Sequence, residues 1–298
     1  MTDTQAYPWS TWAKLFTLAL VWGSSFWLIK MGLLTFTPVE VAAVRLAAAA
    51  AFLAPFALVR MHRLKRHQWL VVASVGLTGS LLPAFLFALA QTRIDSGVTG
   101  ALNALTPLFT LIIGSIIFRQ WVTGRTVFGL LIGLGGTLML VLLNASGELT
   151  LNAYALFVVA ATFCYGMNLN LIKTYLPDQT PLTITGVSLL MVLPVALLYL
   201  LGPGEVASKL TSTAAWGSLA AVVVLGVVGT ALALILFNHL VQIATTVFAS
   251  SVTYLIPIVA MTLGVLSGET IGVFQLAGMG FILFGVWLAN RKPVPPRG

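Results

Sequence analysis

The sequence predicts an all-α polytopic membrane protein, with ten transmembrane helices arranged as two inverted five-helix repeats. Three observations lead to this fold class: a composition with few charges, ten long apolar runs and an internal repeat. Of the 298 residues, 59% are hydrophobic and 7% are charged, whereas a soluble domain carries roughly 25% charged residues. A soluble chain of this length has too little interior to bury so much apolar surface, which excludes a soluble globular protein.

Ten apolar segments follow one another along the chain, each near the ~20 residues that a helix needs to cross the hydrocarbon layer. Membrane β-strands need only about 10 residues and alternate in polarity, so unbroken runs of this length predict helices. The predicted spans are residues 12–31, 38–59, 69–90, 96–118, 127–143, 153–172, 181–201, 215–241, 245–266 and 271–289.

The distribution of Lys and Arg predicts the orientation of these spans, because positively charged connections stay on the cytoplasmic side. With the N-terminus inside, the outer connections hold only Lys30, Arg93 and Lys209. The inner segments hold Lys14, Arg60, Arg63, Lys65, Arg66, Arg119, Arg125, Lys173, Arg291, Lys292 and Arg297. We therefore expect a multi-pass protein of a bacterial-type inner membrane, with both termini in the cytoplasm.

The internal repeat is visible as two stretches of aligned residues. Residues 22–30 (WGSSFWLIK) match residues 165–173 (YGMNLNLIK) at an offset of 143, and the same offset aligns two Thr-Pro steps. Further along, an offset of 150 pairs Pro107 with Pro257. The sequence therefore predicts two repeats, 1–147 and 148–298, which together form one integral membrane domain.

The odd number of spans in each repeat places the second copy in the membrane upside down. Inverted repeats hold a substrate site near the bilayer midplane, between the halves, and expose it to each side in turn. This architecture favours an alternating-access carrier, with a channel as the less favoured alternative.

Several motifs together resemble one family. They are WGSSF at residues 22–26, Pro107 and Pro257 in the middle of spans 4 and 9, and LSGE at 266–269. Over residues 12–290 the chain resembles the EamA family of the drug/metabolite transporter superfamily, and the aromatic, weakly charged spans most resemble the YddG-type aromatic amino-acid exporters. The resemblance implies export of small metabolites. Gln120 stands where the family usually carries Glu, so an ion pair at that turn is not carried over.

Polar and aromatic side chains inside the spans are the candidates for binding substrate, because polar groups that face lipid are costly. Trp22 and Ser25 share one face of the first helix at spacing i, i+3, and their repeat mates are Tyr165 and Asn168. Amide and hydroxyl groups can bind the ammonium and carboxylate of an amino acid, and aromatic rings can enclose its side chain. The predicted substrate-binding residues are Trp22, Ser25, Asn103, Tyr165, Asn168, Asn238 and Tyr254. The alternative is that these groups only hydrogen-bond between packed helices.

Two further pairs suggest moving parts. Gln91 and Gln242 lie near span ends and are predicted to form a gate or cavity rim, with ordinary interfacial polar residues as the alternative. Pro107 and Pro257 each remove a backbone donor from a span and are predicted hinges, with static curvature as the alternative. Gly129 and Gly133 form GxxxG, which favours close helix packing over dimerisation.

Arg45 lies about seven residues inside the second span, where an arginine costs roughly 2.5 to 3.5 kcal/mol on insertion scales. It could bind a substrate carboxylate. We favour a structural role, in which it extends toward the outer headgroups or pairs with Glu40.

The acidic residues decide between energy sources. All seven lie in connections or at span ends, whereas proton-coupled carriers usually need a buried carboxylate. We therefore expect a facilitative uniporter or exchanger of neutral, chiefly aromatic, amino acids, with a proton-coupled antiporter as the alternative.

Other functional classes lack their residues. There is no phosphate-binding GxxxxGK[ST] loop, and three histidines with one cysteine give no metal site or intramembrane enzyme centre. We expect no cofactor, no metal and no nucleic-acid partner. The expected partners are a small-molecule substrate and the lipid bilayer, and the expected state is a monomer or weak homodimer.

Overall fold

The computed structural model describes residues 8–119, 124–143, 146–149, 152–202, 205–243 and 252–290. Within these residues ten long helices follow one another, and one-turn helices at Met61–Arg63 and Val206–Lys209 lie in the connections. The long helices are α1 (Trp9–Leu33), α2 (Pro38–Arg60), α3 (Gln68–Gly76, Leu77–Leu81 and Leu82–Ala90), α4 (Ser96–Asn103 and Thr106–Ile116), α5 (Gly124–Leu142), α6 (Ala155–Tyr175), α7 (Pro181–Leu201), α8 (Thr213–Gly226, Val227–Leu232 and Ala233–Ile243), α9 (Val252–Leu266) and α10 (Val273–Asn290).

The lengths of these helices confirm the predicted fold class. In the part of the chain that the structure describes, seven helices, α1 to α4 and α6 to α8, are long and apolar enough to cross a membrane. The other three contain shorter apolar stretches at 127–140, 255–266 and 273–285. The chain is an all-α polytopic membrane protein.

The aligned Thr-Pro steps form equivalent helix starts. Thr37 accepts a hydrogen bond from the Glu40 backbone N–H at 3.3 Å, and its own N–H donates to the Glu40 carboxylate at 2.7 Å. Thr180 likewise accepts from the Thr183 N–H at 3.3 Å. Threonine caps the free N–H groups of the first turn, and proline suits the next position because it has no N–H to satisfy. The sequence repeat therefore begins α2 and α7 in the same way.

The two halves also cross each other in equivalent ways. A Cβ on Gly166 of α6 would lie 2.8 Å from the backbone of Phe109 on α4. A Cβ on Gly23 of α1 would overlap the side chain of Val259 on α9. The glycines are related by the offset of 143 and their partners by the offset of 150. Thus α1 meets α9 in the second half as α6 meets α4 in the first.

The connections show that the halves are inverted. Near the α1–α2 connection, Glu40 pairs with Lys209 of the α7–α8 connection at 2.7 Å. At the opposite end of α2, Lys65 pairs with Asp178 of the α6–α7 connection at 3.4 Å. The α1–α2 and α6–α7 connections are repeat equivalents, yet they lie at opposite ends of the bundle. We call these the α1–α2 end and the α2–α3 end.

Both α3 and α8 are widened by a π-helical segment near the middle, at Leu77–Leu81 and Val227–Leu232. Just before each segment, a glycine contacts the backbone of a neighbouring helix. A Cβ on Gly76 would lie 2.6 Å from the Ser188 carbonyl, and a Cβ on Gly226 would lie 2.5 Å from the Arg45 carbonyl. Gly76 and Gly226 are related by the offset of 150, and Arg45 and Ser188 by the offset of 143, so the segments are repeat equivalents. Such π segments frequently occur at functional sites.

Helices α5 and α10 form the most glycine-dependent contact. A Cβ on Gly136 would lie 2.5 Å from the Gly278 carbonyl, and one on Gly285 would lie 2.5 Å from the Gly129 carbonyl. Small residues let membrane helices approach closely. The expectation that the GxxxG of α5 serves helix packing is confirmed.

Candidate functional site

The centre of the bundle is where the π segments meet the predicted binding residues. A Cβ on Gly79, in the π segment of α3, would lie 2.6 Å from Nδ2 of Asn168 on α6. A Cβ on Gly229, in the π segment of α8, would lie 3.0 Å from Oγ of Ser25 on α1. In each case the backbone of one half lies against a polar side chain of the other. Ser25 and Asn168 therefore occupy equivalent positions at the junction between the halves.

These two side chains differ in how their polar atoms are used. Ser25 is buried, and its Oγ donates to the Val21 carbonyl of the same helix at 2.8 Å. Asn168 is 9% exposed, and within the described residues its Oδ1 has no hydrogen-bond partner. A buried acceptor without a donor costs about 1–3 kcal/mol. A ligand N–H at Asn168 would remove that cost.

Aromatic rings flank each of these polar positions. The Trp22 ring lies 5.0 Å from the Phe237 ring, and Trp22 Nε1 donates to the Gly229 carbonyl at 3.1 Å. In the other half, Tyr165 stacks on Phe87 at 5.9 Å. Trp22 and Tyr165 are repeat mates, as are Phe87 and Phe237. The site thus has two equivalent aromatic pairs, one on each side.

Asn103 lies at a break in α4. The helix stops at Asn103 and resumes at Thr106. Pro107 has no N–H to donate to the Asn103 carbonyl, and that carbonyl accepts from Thr106 Oγ1 at 2.9 Å instead. The Oδ1 of Asn103 is buried and, among the described residues, has no partner. The break therefore places a second unsatisfied amide oxygen on α4, a helix that packs against α6.

The two predicted hinges differ in their surroundings. Pro107 follows the break in α4, whereas Pro257 lies within the continuous helix α9. Pro107 therefore lies beside an interruption of its helix and Pro257 does not, and the hinge assignment of both stays a prediction.

The remaining predicted residues are hydrogen-bonded to other helices or have side chains outside the described residues. Asn238 donates to Thr185 Oγ1 of α7 at 3.2 Å. Gln91 lies buried at the α1–α2 end, where its Nε2 donates to the Phe26 carbonyl at 2.8 Å. The side chains of Gln242 and Tyr254 lie outside the described residues, as does Gln120. The side-chain nitrogens of Asn238 and Gln91 therefore have protein partners on neighbouring helices, whereas Gln91 Oε1 is buried and has no partner among the described residues.

Arg45 faces the centre of the bundle. Its Nε donates to Thr230 Oγ1 in the π segment of α8 at 2.8 Å, and its guanidinium interacts with the Tyr165 hydroxyl. The predicted pairing with Glu40 is wrong, because both carboxylate oxygens of Glu40 bind Lys209, at 2.9 and 2.7 Å. Arg45 is directed toward Thr230 and Tyr165 instead.

The sequence analysis missed the π segments and the residues around them. Each segment, together with the glycine just before it, shows the pattern Gly-x-x-Gly followed by Ser or Thr. The pattern occurs at residues 76–80 and 226–230, which the offset of 150 relates. This repeated pattern was the available signal. It marks Gly79, Gly229 and Thr230, and the same offset pairs Phe87 with Phe237.

Comparison with known proteins agrees with this architecture. A model described as the EamA-like transporter family matches the chain twice, over residues 9–142 and 152–291. The chain belongs to the EamA-like transporter family. Because both halves match, each five-helix repeat corresponds to one copy of the EamA-like model. An EamA-like protein is a transporter of small molecules and not an enzyme.

Several relatives cover nearly the whole chain. The "Uncharacterized inner membrane transporter YedA" of Escherichia coli K12 is 29% identical over 93% of this chain and 89% of its own length. The "Probable terminal-alkyne amino-acid exporter" of Streptantibioticus cattleyicolor is 25% identical over 97% of this chain and 95% of its own. The "Probable amino-acid metabolite efflux pump" of Salmonella typhimurium is 24% identical over 91% of each. This EamA-like chain is thus similar along almost its full length to an inner-membrane transporter and to proteins named as an exporter and an efflux pump.

A solved crystal structure shares the fold. It superposes with a TM-score of 0.65 over 95% of this chain and 97% of the other, at 18% sequence identity. The overlap covers both EamA-like repeats.

Proposed function

We propose that this protein is an alternating-access exporter of neutral amino acids, chiefly aromatic ones, and that it works as a facilitative uniporter or exchanger. It lies in the inner membrane with both termini in the cytoplasm. Repeats 1–147 and 148–298 form one transport domain with the substrate bound between them. Two of the relatives described above are named as exporters of amino acids or their metabolites, which supports this class of substrate.

One observation carries the proposal. Two aromatic pairs flank the junction of the halves, and on the α6 side an amide oxygen of Asn168 is buried without a donor. An aromatic amino acid offers what this site lacks, because its ammonium donates hydrogen bonds and its ring packs against aromatic faces. Apart from the Arg45 guanidinium beside Tyr165, the described residues of this site are uncharged, and an amino acid adds no net charge to them.

The contacts at the α1–α2 end suggest how access is controlled. In the proposed orientation this end faces outward, and three polar contacts join the halves across it. Glu40 binds Lys209, the Ser96 N–H donates to Glu269 at 2.9 Å, and Thr35 hydrogen-bonds Ser218 at 3.0 Å. Release of substrate to the outside requires these contacts to separate.

The position of Glu40 favours transport without proton coupling. Glu40 is buried near the start of α2 and is held by a lysine and two backbone N–H groups, those of Thr37 and Glu205. A carboxylate so engaged is a poor carrier of protons, because protonation would break several hydrogen bonds.

The test is counterflow of radiolabelled phenylalanine and tryptophan, beside threonine, methionine and glutamate, in proteoliposomes with and without a pH gradient. We expect saturable, exchange-stimulated flux of the aromatic amino acids that does not respond to the gradient. Asn103→Ala should reduce this flux. Asn152→Ala should not, because Asn152 lies in the α5–α6 connection, where its side chain donates to the Arg93 carbonyl of the α3–α4 connection. Absence of flux for all five would overturn the amino-acid assignment, and flux driven by the gradient would overturn the facilitative mechanism.

A further inference from the structure

Arg45 is a cation inside a membrane-length helix. It lies about 10 Å along α2 from the helix start, at 1.5 Å per residue, and it is partly buried. A charge at this depth is expensive in lipid and usually has a functional partner. The question is which group balances it.

Within the described residues, the contacts of Arg45 hold the side chain but engage only some of its N–H donors. Nε donates to Thr230 Oγ1, which itself bonds to the Leu225 carbonyl at 3.1 Å. An arginine has several further N–H donors in a planar fork that matches a carboxylate. Thr230 and Tyr165 therefore fix the direction of the guanidinium, and among the described residues its other N–H groups have no further hydrogen-bond partner.

No carboxylate of the described residues forms an ion pair with Arg45. The acids near the bundle are engaged elsewhere: Glu40 with Lys209, Asp95 with Lys30 at 3.9 Å, Asp178 with Lys65, and Glu269 with the backbone N–H groups that begin α4. The charge of Arg45 is thus not balanced by an acid from the part of the chain that the structure describes.

Arg45 also borders both halves of the candidate site. Tyr165 lies one helical turn from Asn168 on the same face of α6, and Thr230 directly follows Gly229, which contacts Ser25. The repeat mate of Arg45 is Ser188, whose Oγ donates to the Thr185 carbonyl of its own helix at 3.1 Å. Of these two repeat-related positions, one therefore carries a cation and the other a hydroxyl.

We propose that Arg45 binds the carboxylate of the substrate, and that a carboxylate is required for recognition. The inference rests on the proposed function and deepens it. With the carboxylate at Arg45 and the ammonium at the free Oδ1 of Asn168, a zwitterionic amino acid satisfies both groups in one orientation. Amines and amides without a carboxylate leave the Arg45 charge unbalanced and are rejected.

The experiment measures binding separately from transport. The purified full-length protein in detergent is titrated with phenylalanine, 3-phenylpropionate, phenylalaninamide and phenethylamine, and the rise in unfolding temperature gives each affinity. We expect the two carboxylates to bind, and phenylalaninamide and phenethylamine to bind about 10- to 100-fold more weakly, the range for a hydrogen bond to a charged group. Equal binding of the amide and the amino acid would overturn the proposal on the unmodified protein.

Variants then locate the effect. Arg45→Gln should weaken the binding of phenylalanine and of 3-phenylpropionate by a similar factor and leave the binding of phenethylamine unchanged. Arg45→Lys should restore part of the lost affinity. The matched control is Arg93→Gln, which removes an exposed cation from the α3–α4 connection. If Arg45→Gln fails to fold, the ligand series on the unmodified protein still decides the question.

The two proposals fail in different ways. Carboxylate-selective binding without flux of any amino acid removes the transport assignment and keeps the role of Arg45. If phenylalanine is transported and phenethylamine inhibits this flux as strongly as 3-phenylpropionate does, the proposed role of Arg45 is wrong and the transport assignment stands.

Discussion

The two halves of the molecule share a backbone at the centre but differ in the side chains placed on it. Gly76 and Gly226 make equivalent close contacts: Gly76 packs against α7 and Gly226 packs against α2, its repeat equivalent. The partner carbonyls, however, belong to Ser188 in one half and Arg45 in the other. The equivalent backbone suits equivalent movements of the two halves, whereas the side chains that differ favour one orientation of the bound substrate.

The starts of α2 and α7 test where this similarity ends. Thr37 and Thr180 cap both helices, but only the first turn of α2 carries a buried acid, Glu40, whose repeat mate is Thr183. Lys209→Met removes the cation that pairs with Glu40 and leaves the buried Glu40 carboxylate without an ion-pair partner. We therefore expect a loss on the order of 3 kcal/mol in the free energy of unfolding. Thr183→Val is the matched change.

The comparison needs both variants measured by reversible unfolding in detergent. Thr183→Val should lose less than about 1 kcal/mol, because the Thr180 cap onto the Thr183 N–H remains. If the two variants lose equal stability, the ion pair does not distinguish the halves.

The central glycines test the shared backbone. Alanine at Gly76 or Gly226 places a Cβ 2.6 or 2.5 Å from a backbone oxygen, and overpacking of this kind typically costs 1–3 kcal/mol. We expect losses of about 2 kcal/mol that are similar in the two variants, measured by thermal unfolding. Gly217→Ala is the control, since no atom lies within 4 Å of its Cβ and alanine favours the helix. Unequal losses at the two central positions would contradict the equivalence.

Asn168 and Ser25 test the unshared side chains. Asn168→Ser makes the second half resemble the first and removes a buried oxygen without a partner. We expect counterflow of phenylalanine to fall about 10-fold, the effect of one lost hydrogen bond to a charged group, while the unfolding temperature stays level or rises. The control is Ser24→Ala, because the Ser24 hydroxyl donates to the Val21 carbonyl as the Ser25 hydroxyl does, and Ser24 is not a predicted substrate-binding residue. Full flux in Asn168→Ser would remove Asn168 from the substrate site.

The smallest expected effect compares the two ends of the bundle. At the α1–α2 end, burial raises the pKa of the Asp95 carboxyl above 3.8, nearby Glu269 raises it further, and Lys30 partly offsets both. With a pKa higher in the folded state, the contribution of Asp95 to stability is complete below the unfolded pKa and is lost as pH rises through the folded pKa.

Asp95→Asn should therefore reduce the change in unfolding temperature between about pH 4 and pH 7. Asp178→Asn, at the α2–α3 end, is the control, because its pair with Lys65 is 62% exposed on both sides and exposed pairs contribute little. An unchanged pH dependence in Asp95→Asn would contradict the role of this carboxyl.

The sequence predicted those features that depend on local patterns. Apolar run length gave the helices, and the aligned Thr-Pro steps gave equivalent starts for α2 and α7. Pro107 indicated a disturbance in α4, since the missing N–H acts only on the carbonyl four residues earlier. Each of these signals lies within a few residues of its effect.

The central contacts were less predictable because they join residues far apart in the chain. The pairing of Arg45 with Thr230 spans 185 residues and depends on the π segment that positions Thr230. Glu40 is close to Arg45 in sequence, which favoured it as the partner, but Lys209 reaches Glu40 from another connection. Helical spacing identifies the face of a residue, and only the packed bundle decides which charge meets it.

The π segments also bear on how the chain arose. A π segment amounts to one residue inserted into an α-helix, and both halves have theirs at positions related by the same offset. Two independent insertions at matching places are less economical than one insertion followed by gene duplication. On this account the widened turn is older than the two-repeat chain and was already present in a five-helix ancestor. Such an ancestor would have built this site from two antiparallel copies of itself, with identical chemistry on both sides, and the asymmetry centred on Arg45 would have become available only after the copies were joined.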